Sequence, residues 1–261
     1  MEPTVTMDIA KWAKGAWTAI KDVVVREDAI TVYLNERELV RLHCSPEHLD
    51  ELAVGYLSAT GIIQGKNDLL GLETVPAEGV VYVRIPGNKV RADASIPPSF
   101  IPSCQQGPGY YHCWQDNLKL FPITAPLKMK PKLVLELLNQ LDGSSSLFKL
   151  TGGVHNAGLG TKQGLVLFRQ DIGRHNAVDK VIGHMIINTI TAEDKVLLLS
   201  GRISADIVFK AVVAGIPVLI SPSAPTHLGV NWARRLGITV VGFVRDERFS
   251  VYSETWRLQH D

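Results

Sequence analysis

Residues 195–244 read KVLLLSGRISADIVFKAVVAGIPVLISPSAPTHLGVNWARRLGITVVGFV. Short apolar runs (KVLLL, PVLIS, ITVVGFV) alternate with longer stretches of helical spacing (SADIVFKAVVAG, THLGVNWARRLG). An unbroken run such as VLLL suits a strand buried on both faces, and the helices between are the crossovers that parallel strands need. The order predicts an α/β fold with a largely parallel sheet and right-handed connections. In such sheets ligands bind beyond the carboxyl ends of the strands.

Toward the N-terminus of that stretch, Leu133 to Leu141 reads as a helix, Leu147 to Leu150 as a short strand, TGGVHNAG as a Gly-rich turn and GLVLF as a strand. In DIGRHNAVDKVIGHMIINTI, Ala177, Val178, Val181, Ile182, Met185 and Ile186 share one helical face. The stretch from Ser95 to Pro131 differs, with prolines at 97, 98, 102, 108, 122, 126 and 131 and two of the three cysteines. A loop that long is uncommon in a compact domain unless it is functional or disordered. The expected division is therefore 1–94, a small α+β domain of hairpins and a helix; 95–130, a cysteine-bearing loop; and 131–261, the α/β domain. Within the first, Val23 to Val25, then Ile30, Val32, Leu34, Leu39, Val40 and Leu42, read as strands around a turn at Asn35-Glu36-Arg37. Ser45-Pro46 offers a cap for a helix carrying Leu49, Leu52, Ala53, Tyr56 and Leu57 and ending at Gly61. VVYVRI and KVRAD read as a second hairpin.

The 261 residues carry 27 Lys+Arg against 26 Asp+Glu, a net charge of +1, with 46% hydrophobic residues. No global field recruits nucleic acid or a membrane surface, so an anion site has to be local. No apolar run is long enough to span a bilayer, and MEPTVTMDIAKWAKGAW lacks the core of a signal peptide, so a cytoplasmic protein is expected. There is no internal repeat or low-complexity tract.

Five segments fall at predicted strand or helix ends: Thr151 to Asn156, Asp171 to Asn176, Ser200-Gly201-Arg202, Ser221-Pro222-Ser223 and Arg245 to Arg248. Each joins small residues to Ser, His, Asn or Arg side chains. Any one alone is ordinary turn chemistry. Five together, with Arg202, Arg245 and Arg248 on one predicted edge, favour a nucleotide or pyrophosphate held by helix N-termini and arginines. Neither GxGxxG nor GxxxxGK[ST] is present, so neither a Rossmann nor a P-loop site is indicated. Asp171, Arg174, His175, Asn176 and Asp179 form the densest polar cluster. Asp171 stands as a candidate orienting carboxylate for His175, and Asp179 and Lys180 as cap or solvated residues. His155 reads either as a ligand contact or as a structural hydrogen-bonder.

Cys44, Cys104 and Cys113 are too few for a disulfide scaffold. Cys104-Gln105-Gln106-Gly107-Pro108-Gly109 is a turn carrying a thiol, and no paired CxxC completes a zinc site, so no metal is expected. A loop thiol suits nucleophilic attack or sulfur carriage, whereas Cys44 reads as packing.

LDELAVGYLSATGII, FKLTGGVHNAG, DIGRHNAVDKVIG, LLLSGRISADIVFKAVVAGIPVLISPSAPT and VGFVRDERFSVYS together resemble the signatures of the FdhD/NarQ family of formate dehydrogenase accessory sulfurtransferases. The likeness extends from about Arg26 to Tyr252. It implies a cytoplasmic, homodimeric sulfurtransferase that accepts persulfide sulfur from a cysteine desulfurase. The sulfur passes to the bis(molybdopterin guanine dinucleotide) molybdenum cofactor required by formate dehydrogenase. It implies Cys104 as the carrier. The cofactor contacts it implies are Phe243, Val244, Arg245, Asp246, Glu247 and Arg248, beside the rim residues Ser200, Gly201, Arg202, Ser221, His155, Asp171, Arg174, His175 and Asn176. It also implies a cytidine-deaminase-like layering of the α/β half without zinc chemistry. Many members carry CxxC in the loop; here Gly107 holds the second position, which leaves Cys104 alone or with Cys113. Two other readings stand beside this one. One is a chaperone that only binds and protects the cofactor. The other is a zinc deaminase with His155 at a helix start, for which the H-x-E and PCxxC motifs are lacking.

Overall fold

The structure is a computed structural model that describes residues 2–87 and 120–259. Cys104, Cys113, Gly107 and the segment KVRAD lie outside the described residues.

The chain opens on a hairpin that sequence reading missed: β1 (Thr4–Ala13) and β2 (Ala16–Val25), joined at Lys14-Gly15, both with positive φ. Two left-handed residues make the tight turn whose twist matches the strands. β3 (Asp28–Leu34) and β4 (Arg37–Cys44) follow, turning as expected at Asn35-Glu36, with φ of 46° and 69°. Helix α1 (Leu49–Ala59) begins three residues later than the Ser45-Pro46 cap predicted, at His48 in a left-handed conformation. Ser45 is instead used elsewhere: its N–H donates to Asp171 at 3.1 Å and its Oγ accepts from Ile172 N at 3.1 Å. β6 (Val80–Arg84) pairs antiparallel with β5 (Gly71–Val75) and parallel with β3, completing a sheet of order β4-β3-β6-β5. The hairpin partner of VVYVRI among the described residues therefore precedes it. Ile30, Val32, Leu34, Val81 and Val83 point from this sheet onto α1.

The second sheet has six strands: β7 (His155–Thr161), β8 (Gly164–Asp171), β9 (Val196–Leu199), β10 (Val218–Ile220), β11 (Thr239–Arg245) and β12 (Arg248–Ser253). Their order is β12-β11-β10-β9-β7-β8. β9, β10 and β11 run parallel, as expected, but β7, β8 and β12 add antiparallel pairings. The sheet is thus mixed with a parallel centre, not largely parallel. α2 (Pro131–Ser144) covers one face through Val134, Leu137, Leu138 and Leu141. The other face is covered by α4 (Arg174–Ile187), α5 (Ala205–Val213) and α6 (His227–Arg235). Within β9, Val196 and Leu198 face α2 while Leu197 and Leu199 face the other layer. This two-sided burial explains the unbroken apolar run.

Two local expectations fail. Leu147–Leu150 lies in a short helix, α3 (Ser146–Thr151), whose first turn is capped by Ser145 Oγ accepting from Phe148 N. The second half of the expected turn TGGVHNAG, His155 to Gly158, lies in strand β7, which continues to Thr161. A Cβ at Gly160 would stand 2.9 Å from Leu137 Cδ2, and one at Gly158 would stand 2.8 Å from Leu141 Cδ1. These glycines let α2 lie close to the strand rather than bend the chain.

α1 and α4 join the two sheets. They cross so closely that a Cβ on Gly55 would meet the Asp179 backbone, and one on Gly183 the Glu51 backbone. Arg169 adds a fork to Glu51, Nε at 2.5 Å and Nη2 at 2.6 Å, with His184 Nδ1 2.8 Å from the same carboxylate. Burial raises the Glu51 carboxyl, but Arg169 and His184 outweigh it and hold the group below its ordinary value. No helix of the described residues is long and apolar enough to cross a membrane.

Candidate functional site

β9 and β10 lead directly into Ser200 and Ser221, and β11 ends at Arg245, all on one edge because the three strands are parallel. β7 runs the other way, so its first residue, His155, opens on the same edge. There it pairs with Asp171, the last residue of β8. β12 starts at Arg248, opposite Arg245. The five predicted segments therefore do converge. From β7 to β12 there are four strand steps, which at about 4.8 Å each gives a rim roughly 19 Å long. α4, α5 and α6 all start from this rim and direct their N-terminal N–H groups toward it, which favours anions.

At the β7–β9 end, Ser200 Oγ accepts from Asn156 N at 3.0 Å and lies 3.4 Å from His155 Nδ1. Gly201 leaves room for its neighbours: a Cβ there would stand 3.3 Å from Arg174 Cδ and 3.6 Å from His155 Nδ1. Burial, then the charges of Arg174 and Arg202, lowers the His155 pKa, so the ring is neutral beside two cations. In the middle, Ser221 Oγ donates to Gly201 O at 2.7 Å and accepts from Ser223 N at 3.0 Å, locking the β9 and β10 loops together. Thr226 N donates to Ile203 O at 2.9 Å, a further backbone bond between the two loops.

At the far end the chain does not stop at the strand ITVVGFV but returns through a bulged hairpin. Phe243 and Asp246 have φ of 53° and 51°, and the register shifts between Gly242 and Arg245. The bulge turns Phe243 outward, 43% exposed, and Val244 inward, 3% exposed. Val244 thus offers a ligand only its backbone, a correction to its place among the contacts. A cavity of about 270 Å³ is lined by Phe243, Arg245, Arg248, Phe249 and Ser250. Phe249 and Ser250 were missed because the last rim segment read from the sequence ends at Arg248, and the returning strand β12 that carries them was not expected. Asp246 and Glu247 form the exposed turn beside it.

The cluster Asp171 to Asn176 divides. Asp171 is fully buried, bonded to Lys180 Nζ at 2.7 Å and accepting from Ser45 N, Gly173 N and Asn176 Nδ2. Asn176 also donates to His43 O at 2.8 Å. Both side chains are spent at the joint with the N-terminal sheet and present nothing to the rim. Asp179 and Lys180 are buried, not solvated. Asp171 accordingly orients this joint and not His175. The His175 ring lies 3.8 Å from Asp206 Oδ2, and burial, with Lys210 and Arg174 nearby, pushes its pKa down to about 3. Below it Lys210 pairs with Asp179 in the interior. Burial raises the carboxyls of Asp179 and Asp206. Sequence spacing gives no sign of this buried layer, since its members come from two helices. Cys44 is buried and its thiol is pushed up to about 12, chiefly by burial and then by Asp171, which makes it inert. Among the described residues no group of His, Cys, Asp and Glu is placed to hold a metal.

The profile of the FdhD/NarQ family matches residues 25–259. The sulfur carrier protein FdhD of Bacillus subtilis is 35% identical over 256 residues, covering 98% of each chain. That of Bacillus pumilus is 37% identical over 250 residues, covering 96% of this chain and 95% of its own. A crystal structure of a formate dehydrogenase accessory protein from Desulfotalea psychrophila superposes with a TM-score of 0.82 at 24% identity, covering 99% of this chain and 100% of that one, a likeness of fold. On the family profile and these relatives, the chain belongs to the FdhD/NarQ family.

Proposed function

We propose that the chain is a cytoplasmic homodimeric sulfurtransferase acting between a cysteine desulfurase and formate dehydrogenase, with the bis(molybdopterin guanine dinucleotide) molybdenum cofactor as the bound substrate that receives the sulfur. The observation that carries this reading is the convergence of Arg174, Arg202, Arg245 and Arg248 with three helix N-termini along one rim. A rim of that length and charge suits an extended phosphate-bearing ligand such as a dinucleotide. Phe243 and the cavity beside it offer a face on which a guanine can stack, and Asp246 or Glu247 an acceptor for its N–H edge. Family membership and the names of the relatives support the sulfur-carrying role. The C-terminal half is then a cytidine-deaminase-like layering used without zinc.

In this reading the Cys104 thiolate attacks the terminal sulfur of the desulfurase persulfide, forming Cys104–S–SH and expelling the desulfurase thiolate. Cys104, with Gly107 where other members have a second cysteine, takes the sulfur unaided or with Cys113. The test is intact mass after incubation with desulfurase and cysteine. One added sulfur, absent in Cys104→Ala, is expected; no added sulfur on the wild type refutes the reading. Cys104→Ala should still bind GDP and fail to activate apo-formate dehydrogenase. Undiminished activation would favour a chaperone that only protects the cofactor. Arg245→Ala and Arg248→Ala should each weaken GDP binding by about tenfold or more.

A further inference from the structure

The β1–β2 hairpin precedes residue 25, where the match to the family profile begins. Its two ten-residue strands make a ribbon about 34 Å long. The base is held: Arg26 N donates to Pro3 O at 2.8 Å, Val25 lies against Gly153, and β2 touches α3. The far end is uncovered. Every residue of AKWAKGAWTA, 10–19, is exposed, Trp12 by 56% and Trp17 by 69%. The register pairs Trp12 with Trp17 and Ala10 with Ala19 on one face. It pairs Ala13 with Ala16 and Lys11 with Thr18 on the other. Lys14 and Gly15, both at positive φ, make the apex.

We propose that this tip docks on the surface of an anionic phospholipid bilayer, with Trp12 and Trp17 in the interface and Lys11 and Lys14 on the headgroups. Charge selects this occupant first. Residues 10–19 carry two lysines and no acid, so the tip is locally cationic although the whole chain is only +1. A lysine close to an anionic leaflet is attracted to it, and tryptophan concentrates at the boundary between headgroups and hydrocarbon. From the Ala10–Ala19 pair to the Ala13–Ala16 pair the ribbon advances about 10 Å, which matches the roughly 5–10 Å depth of that boundary. Each strand pairs only with the other, so its outer edge keeps unpaired N–H and C=O groups. These must stay hydrated, which holds the tip at that depth. Two other occupants fit less well. A folded protein partner is held by directed hydrogen bonds around an apolar core. Apart from the lysines and indoles, the tip's one polar side chain is Thr18. Nucleic-acid bases stack on open aromatic faces, whereas these rings lean on each other, centroids 5.4 Å apart at 53°.

Flotation of the full chain with vesicles of equal parts phosphatidylglycerol and phosphatidylcholine tests it. The wild type should float with these vesicles and stay behind with pure phosphatidylcholine. Each lysine near the surface is worth about fivefold, so Lys11→Gln with Lys14→Gln should lower the partition coefficient by about twentyfold or more. Trp12→Ala with Trp17→Ala should lower it by about tenfold or more and abolish the quenching of tryptophan fluorescence by bromine-labelled lipid chains. The lysine variant keeps the Trp12–Trp17 pair, so the test survives even if the tryptophan variant loses the hairpin. The proposal is overturned if the wild type does not float, if it floats equally with pure phosphatidylcholine, or if the lysine variant floats as well as the wild type. Binding of a single-stranded RNA oligonucleotide without binding of vesicles, lost in the same two variants, assigns the tip to nucleic acid and overturns it too. The inference does not rest on the sulfur-carrier reading, which the loading of Cys104 tests separately.

Discussion

Gly183→Ala should destabilise the protein although alanine is the better helix former. Gly183 lies in α4 where it crosses α1, and a Cβ built there stands 2.6 Å from the carbonyl carbon of Glu51 and 2.9 Å from its Cα. Carbon atoms rest about 3.5–4.0 Å apart, so the helices must separate by about 1 Å. The obstruction is backbone, which cannot rotate aside, and α1 is buried between the first sheet and α4. Overpacking of this kind costs about 1–3 kcal/mol, and we take the upper end; the helix-propensity gain of Ala over Gly returns about 1. The net loss is about 2 kcal/mol. With a urea slope of about 2–3 kcal/mol/M, the midpoint should fall by about 0.7–1 M. Gly143→Ala, also in a helix but with nothing near its Cβ position, should raise the midpoint by up to about 0.5 M. If both substitutions raise the midpoint, the close crossing is not what holds the two sheets together.

Lys210→Met leaves the fully buried Asp179 carboxylate without its partner and should cost about 3–5 kcal/mol in the same titration, much of which Asp179→Leu in the same chain should recover. His175 makes stability depend on acid. Its folded pKa of about 3 lies below its ordinary 6.5, so above pH 6.5 the ring is neutral in both states. Between pH 6.5 and 3 only the unfolded chain takes up the proton, and stability falls by about 1.4 kcal/mol per pH unit. The upward-shifted carboxyl of Asp206 acts in the opposite sense and is common to wild type and variant. His175→Gln should flatten the profile by about one proton, and an unchanged slope between pH 6 and 4 refutes the assignment. Cys44, buried with its thiol at about 12, should resist iodoacetamide at pH 8 in the native protein and react once urea unfolds it; peptide mass mapping reads this directly, and rapid native labelling contradicts it.

Chain order was the most legible part of the fold. VLLL, VLI and TVVGFVR are apolar on both faces, and the helical stripes between them leave little choice but parallel strands, which carried Ser200, Ser221 and Arg245 to one edge. What sequence reading missed were the places where one residue type serves an unusual end. Gly158, at the end of the run TGGVHNAG that reads as a turn, lies in β7 and makes room for Leu141, as Gly160 two residues on does for Leu137. The β1–β2 hairpin lacks clean alternation because its two faces are both partly apolar. Bulging in the β11–β12 hairpin, which turns Phe243 out and Val244 in, depends on a positive φ at Phe243 that its residue type does not announce.

The run DIGRHNAVDK shows why a dense polar motif resists functional reading from sequence. Asn176, Asp179, Lys180 and Gly183 stand at the i, i+3, i+4, i+7 spacing of one helical stripe. Such a stripe would be called solvated because three of its members are polar. In the fold it faces residues 43–55. Asn176 donates to His43 O, Lys180 to Ser45 O, and the Asp179 and Gly183 backbones meet Gly55 and Glu51. Burial of polar groups is tolerable only where every partner is supplied from elsewhere in the chain. A periodicity rule cannot see those partners, because His43 and Ser45 lie more than 100 residues away and Lys210, which pairs with Asp179, belongs to another helix. Arg174 and His175 escape the stripe, and they are the members of the motif that remain beside the rim. The motif therefore divides by helical phase: its stripe locks the α/β sheet to the N-terminal sheet, while Arg174 and His175 at its start lie beside the rim.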